Sequence, residues 1–130
     1  MDPERPLLLI ADDNPELVAI LEKRLAAELE CDISTASDGA EALEKVRAER
    51  PDAVILDVMM PRMNGWEVCK AIRADAETSD TPIVMLTGIG ETLNEMTSTL
   101  YGADDYVDKP FDFIELVFKV KRLLGGRGRW

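Results

Sequence analysis

Short runs of consecutive apolar residues alternate along the chain with longer stretches whose apolar positions recur every three or four residues. Strands buried on both faces read as continuous apolar runs, so the runs at 7–11, 31–36, 53–57, 82–87 and 105–108 predict five strands. The run at 31–36 is less apolar than the others and predicts a sheet edge. The stretches between them predict helices. Asn14-Pro15-Glu16 supplies a cap followed by proline at the first helical position, where a missing N–H costs nothing. Leu17, Ile20, Leu21 and Leu25 then mark an inward face. Ser37-Asp38-Gly39 leads into a second helix through about Glu49, with Ala42, Leu43 and Val46 inward. A third covers 66–74 with Val68, Cys69 and Ile72, after a loop containing Pro61, Asn64 and Gly65. A fourth carries Leu93, Met96 and Leu100 and closes at Tyr101-Gly102, where glycine stands just past the helix end. The fifth covers 111–124.

Regular strand–helix alternation predicts a doubly wound α/β fold, a five-stranded parallel sheet with helices on both faces, because parallel crossovers need a helix and are right-handed. The most apolar runs, at 7–11 and 53–57, belong in the centre, and order 2-1-3-4-5 satisfies this. The topological switch point then lies between the first and third strands, beyond whose carboxyl ends ligands bind in open sheets. There is no internal repeat. A single domain is expected, with its core over about 7–124 and a tail or linker at 125–130.

Composition narrows the function. The chain has 130 residues, 46% of them hydrophobic, enough for one ordinary core. A net charge of −11 disfavours binding to polyanions, so no direct nucleic acid binding and no membrane association are expected. No apolar run approaches the roughly 20 residues that span a bilayer, and the charged, proline-containing N-terminus does not resemble a signal peptide. Cys31 and Cys69 lie far apart, without metal-ligand spacing, and predict reduced, buried thiols in a cytoplasmic protein. The absence of histidine removes histidine-based catalysis and histidine-ligated zinc from this chain.

The chemistry concentrates at three strand ends. Asp12 and Asp13 follow the first strand and Asp57 closes the third, so neighbouring strands bring three carboxylates together. Like charges that close do not all ionise without a cation, which predicts a divalent metal and, with it, phosphate chemistry. Asp12 and Asp13 could instead serve as helix caps, but Asn14 already fills that role. Asp57 could be a turn residue before Pro61, and Lys109 a solvated surface lysine; their placement at strand ends favours a shared site.

The segments Asp12-Asp13, Leu56-Asp57-Val58-Met59-Met60-Pro61 with Asn64-Gly65, Leu86-Thr87-Gly88, and Gly102-Ala103-Asp104-Asp105-Tyr106-Val107-Asp108-Lys109-Pro110-Phe111 together resemble the receiver domain of two-component response regulators, a flavodoxin-like (CheY-like) fold. The resemblance spans about 7–124. It implies that Asp57 accepts a phosphoryl group from a sensor histidine kinase or phosphotransfer protein. It implies that Asp13, Asp57 and the backbone carbonyl of Met59 ligate Mg2+ (Mn2+ as a substitute), while Asp12 holds a metal-bound water. Lys109 would contact the phosphoryl oxygens, Thr87 and Tyr106 would relay the change to the surface, and the Lys109–Pro110 bond would be cis. Such a protein is a signalling phosphoacceptor that gains and loses its own phosphoryl group rather than a turnover enzyme.

The fourth helix is rich in Thr, Ser and Asn, mediocre helix formers, and follows two glycines, as a two-state element would. The last helix carries two apolar stripes, Ile114-Val117-Phe118 and Leu116-Val120-Leu123-Leu124; one must cover the sheet and the other is free for an interface. The surface made by the fourth helix, fifth strand and fifth helix is therefore the expected output face, toward a downstream effector protein, an attached effector domain or a second copy as a homodimer. Met59 and Ile89 stand where this family tunes dephosphorylation; both are apolar, which predicts a long-lived phosphate. Two alternatives are weaker. A degenerate, phosphorylation-independent receiver would not need the complete set of Asp12, Asp13, Asp57, Thr87 and Lys109. A flavodoxin-like cofactor binder or metal-dependent phosphatase would call for a Gly-rich loop after the first strand, or a second acid two residues beyond Asp57. Stand-alone receiver and receiver cut from a longer transcription factor or enzyme both fit the sequence.

Overall fold

The computed structural model describes residues 5–88 and 102–125. In chain order the elements are β1 (Leu7–Ala11), α1 (Pro15–Leu29), β2 (Asp32–Ala36), α2 (Gly39–Glu49), β3 (Ala53–Asp57), α3 (Gly65–Ala74), β4 (Ile83–Thr87), β5 (Asp105–Asp108) and α4 (Phe113–Gly125). The strands form one parallel sheet in the order β2-β1-β3-β4-β5. The expected fold class and strand order therefore hold. Four helices are described against five expected: the predicted helix ending near residue 100, with Ile89, lies outside the described residues, as does the tail from 126.

Alternation along the strands divides the interior into two layers. Leu9, Ala11, Val54, Leu56, Ile83 and Met85 pack with the buried faces of α2 and α3. Leu8, Ile10, Ala53, Ile55, Val84, Leu86 and Val107 pack with α1 and α4. Central strands buried on both faces leave polar side chains a place only at the strand ends, and this puts the acids there.

Local chemistry sets the helix starts. The Asn14 side chain accepts from the Glu16 and Leu17 N–H groups at 3.0 and 3.2 Å. Asp38 accepts from the Glu41 N–H at 2.8 Å. Asn64 and Glu67 form a reciprocal capping box, each side chain accepting from the other's backbone N–H, at 2.9 and 3.0 Å. That cap starts α3 at Gly65, one residue earlier than apolar spacing alone predicts. Asp112 accepts from the Ile114 N–H at 2.8 Å, so α4 starts at Phe113 rather than at residue 111.

Two expectations about helix faces resolve differently. In α1 the buried stripe is Leu21, Leu25 and Leu29, and Ile20 is 54% exposed. A helix turns about 100° per residue, so a narrow stripe through Leu21 carries its neighbour outward. In α4 the sheet-covering stripe is the one with Leu116, Val120 and Leu124, while Ile114 and Phe118 are 77% and 65% exposed.

Arg73 on α3 stitches the ends of β4 and β5 to the body. Its guanidinium donates to the carbonyls of Gly102, Ser79 and Thr81 at 2.8, 3.0 and 2.6 Å and pairs with Asp104 at 3.0 Å. Asp104 also accepts from the Ile83 N–H at 2.7 Å. The start of β5, and through it Lys109, is thereby held in register.

Gly65 lies against the chain just after Asp57. A Cβ there would fall 2.4 Å from the Asp57 carbonyl oxygen and 2.9 Å from Val58 Cα. Backbone cannot yield as a flexible side chain does, so Gly65→Ala is expected to cost about 1–3 kcal/mol in urea unfolding. Ile20→Ser, on the exposed side of α1, should stay within about 0.5 kcal/mol of the parent.

Candidate functional site

Asp12 and Asp13 leave the carboxyl end of β1, Asp57 ends β3, Thr87 ends β4 and Lys109 follows β5. Parallel pairing in register brings these ends to one rim. One carboxylate oxygen from each of Asp12, Asp13 and Asp57 lies within 4.8 Å of the other two. Asp12 and Asp57 are buried, at 1% and 5% exposure, and Asp13 is exposed. The pocket is therefore closed beneath and open on the Asp13 side.

The Lys109 ammonium bridges the two buried acids, 3.1 Å from Asp12 Oδ2 and 3.1 Å from Asp57 Oδ1. The other Asp12 oxygen accepts from the Asn14 N–H at 2.9 Å, and the Met59 N–H donates to Asp57. The Lys109–Pro110 peptide is cis. The Lys109 N–H donates to the Thr87 carbonyl at 2.7 Å, which carries the β4–β5 pairing up to the residue whose side chain enters the site.

The electrostatics are unbalanced. Burial raises the Asp57 carboxyl above its ordinary value, and the Asp12 charge pushes it the same way; the hydrogen bond and charge of Lys109, with the Met59 N–H, oppose them without cancelling them. For Lys109, burial works against the charge, but the hydrogen bonds to Asp57 and Asp12 and their charges outweigh it and hold the ammonium above the usual lysine range. Three carboxylates against one ammonium leave two negative charges in a partly dry pocket. A divalent cation removes that excess, and an all-oxygen donor set suits a hard one.

The remaining predicted residues take separate places. Thr87 is fully buried, and its hydroxyl donates to Asp108 Oδ1 at 2.7 Å and lies 3.5 Å from the Val107 carbonyl. Tyr106 is half-buried against the layer holding α2 and α3, its carbonyl accepting from Lys119 Nζ at 2.7 Å. The Met59 side chain is 71% exposed at the mouth of the site. Cys31 and Cys69 are free and buried, and burial pushes both thiols up to about 11, which keeps them protonated and inert. Strand and motif reasoning missed the partnership of Asp108 with Thr87. The signal for it was register: the two residues are paired partners at the ends of β4 and β5.

A family model described as "Response regulator receiver domain" matches residues 8–121. The "DNA-binding response regulator MtrA" of Mycolicibacterium smegmatis is 45% identical over 124 residues, covering 95% of this chain and 53% of the relative. "Probable transcriptional regulator ycf27" of Guillardia theta is 46% identical over 117 residues, covering 90% of this chain and 44% of the relative. The chain thus spans about half the length of these curated relatives. Among solved structures, the receiver domain of the Francisella response regulator 1452 superposes with a TM-score of 0.86 at 30% identity, covering 95% of this chain and 99% of that one. The receiver domain of sensor histidine kinase PA1611 from Pseudomonas aeruginosa PAO1, solved with a magnesium ion coordinated in its active-site cleft, gives 0.82 at 26% identity over 93% and 98%.

One expectation is corrected by these relatives. The net charge of −11 predicted no direct nucleic acid partner, yet MtrA is a DNA-binding response regulator and ycf27 is named a transcriptional regulator. The charge of one domain describes that domain's own surface and carries no information about a domain joined to it. No helix among the described residues is long and apolar enough to cross a membrane.

The charge imbalance is measurable. Free divalent metal at ten times its Kd should add about 1.4 kcal/mol to the unfolding free energy, and monovalent salt of equal ionic strength should not. Because the Asp57 carboxyl is raised in the folded state, its ionisation works against folding above that raised value, and the penalty disappears below the ordinary carboxylate value. Metal-free Asp57→Asn is therefore expected to melt at or above the parent temperature at neutral pH and to lose the metal-induced gain. Thermal melts with and without metal check both.

Proposed function

The chain belongs to the response regulator receiver domain family, and on that premise we propose a working cycle for its own residues, centred on Asp57. A receiver of a two-component system takes a phosphoryl group from a phosphohistidine. Here a carboxylate oxygen of Asp57 attacks phosphorus. The O–P bond forms, the P–N bond breaks, and the imidazole nitrogen keeps the electron pair and takes up a proton. The observation that carries this assignment is the Lys109 ammonium 3.1 Å from both Asp57 and Asp12, although the three residues come from three separate strand ends.

Phosphoryl transfer spreads charge over the equatorial oxygens, so positioning and neutralisation supply most of the catalysis. Lys109 holds the attacking carboxylate before transfer and turns to the phosphoryl oxygens afterwards. Asp13 and Asp57, with the Met59 carbonyl, would hold Mg2+ (or Mn2+), and Asp12 would hold it through water; the ion supplies positive charge beside the transferring group. The acid set and the magnesium in the PA1611 receiver domain support that assignment. Asp57, Lys109 and Thr87 act on a group that stays attached to the chain, so the protein is a self-modifying switch rather than a turnover enzyme. Thr87 and Tyr106 carry the change outward. A degenerate receiver that ignores phosphate would not need to hold the Lys109 ammonium between two acids.

The names of the relatives support an output through an attached DNA-binding domain, in a cytoplasmic protein. The exposed, apolar Met59 at the mouth of the site offers attacking water no hydrogen-bond partner, which favours a long-lived aspartyl phosphate.

Incubation with acetyl phosphate and magnesium should add one phosphoryl group by intact mass. Asp57→Ala and chelator should each abolish the gain, and Lys109→Met should slow it on the order of 100-fold, as loss of a charge-stabilising donor does. An unmodified wild-type mass would remove the assignment. Met59→Asn should accelerate loss of the phosphoryl group in a phosphate-release assay, and an unchanged rate would remove the role given to Met59.

A further inference from the structure

We propose that Asp108 is a positioning residue that holds the Thr87 hydroxyl on β5 and thereby sets how readily the phosphorylated state is reached. The inference rests on the phosphoacceptor role of Asp57 and goes beyond it. Thr87 and Asp108 are register partners across the β4–β5 ladder, and side chains at paired positions of neighbouring strands share a face of the sheet. The hydroxyl donates to Asp108 Oδ1 at 2.7 Å, with the Val107 carbonyl farther off at 3.5 Å. Thr87 is fully buried. The same two strand ends are joined by the Lys109 N–H on the Thr87 carbonyl at 2.7 Å, so the acceptor of the hydroxyl directly precedes the lysine of the acid site.

A hydroxyl has one hydrogen. While that hydrogen points to Asp108, it cannot be donated to an oxygen of a phosphoryl group on Asp57. The two anions therefore compete for one proton donor, and the charged carboxylate is a strong competitor because hydrogen bonds to ionised acceptors exceed neutral ones. An ordinary surface aspartate would be solvated on all sides; this one has an oxygen committed to a buried hydroxyl. In the resting protein Asp108 keeps Thr87 facing β5, and phosphorylation must win it away. Removing the carboxylate lowers that cost without touching the acids or the lysine.

The test uses beryllofluoride with magnesium as the phosphoryl mimic, with affinity read by titration calorimetry. Asp108→Ala should bind the mimic about three- to tenfold more tightly than wild type, less than a fully buried charge-assisted hydrogen bond supplies, since Asp108 is exposed to solvent. Asp108→Asn, which keeps the shape and loses the charge, should fall between them, and it carries the test if the alanine variant folds poorly. Magnesium affinity without beryllofluoride should not change. In a Thr87→Ala background, Asp108→Ala should have no effect, because the hydroxyl it controls is gone. Unchanged or weaker mimic binding in the Asp108 variants overturns the proposal, and so does an equal gain in the Thr87→Ala background. Failure of wild type to bind the mimic at all would instead overturn the phosphoacceptor role.

Discussion

The structure depends on one electrostatic constraint: two carboxylates buried side by side, with a third at the rim, held by a single ammonium. Asp12 and Asp57 are almost completely shielded from water, and Lys109 does not cancel the burial that raises the Asp57 carboxyl. Such an arrangement persists only when the surrounding fold fixes it, because each strand end would otherwise swing its acid into solvent. The fixing is visible. β1 and β3 are paired in register between two apolar layers. Gly65 lets α3 close against the chain at Asp57. Arg73 and Asp104 tie down the start of β5, from which Lys109 reaches back to the acids.

Most of this frame was legible in the sequence for a simple reason. In a doubly wound sheet the central strands can be neither polar nor alternating, so 7–11 and 53–57 stand out as continuous apolar runs. The first polar residue after each run must then lie at the carboxyl edge. Placing Asp12, Asp13 and Asp57 together required only that the two most apolar runs be central neighbours; the full order 2-1-3-4-5 satisfies that condition and is the order the receiver-domain resemblance implies. Lys109 also stands at a strand end, but its role came from the resemblance to receiver domains rather than from the apolar pattern. Helix starts were less legible because caps act through side-chain geometry: Asn64 and Asp112 shifted α3 and α4 by one or two residues from the apolar pattern.

What the pattern could not show was which of two apolar faces wins. Ile20 and Leu21 are equally apolar, and only the packing of α1 on the sheet selects Leu21. The stripes of α4 are likewise distinguished by the position of the sheet rather than by hydrophobicity. The nucleic acid expectation failed for a related reason: net charge is a property of the residues counted, and the relatives are about twice as long as this chain.

The resting site is organised around competition for too few positive groups. Lys109 is shared by Asp12 and Asp57, and the Thr87 hydroxyl is taken by Asp108. On the proposed function, a phosphoryl group on Asp57 would replace a compact carboxylate with a larger anion that draws on both donors at once. Whatever those donors leave behind must be compensated, Asp12 by cation or water and Asp108 by solvent at its exposed edge. Because Asp108 is exposed and can be solvated at little cost while Asp12 is buried and cannot, a rearrangement on phosphorylation would cost less at the β4–β5 end than in the buried core beneath β1 and β3. The same sheet that buries Asp12 and Asp57 thus leaves one edge, next to the lysine, where the proposed change in charge would be relieved most cheaply by a change in shape.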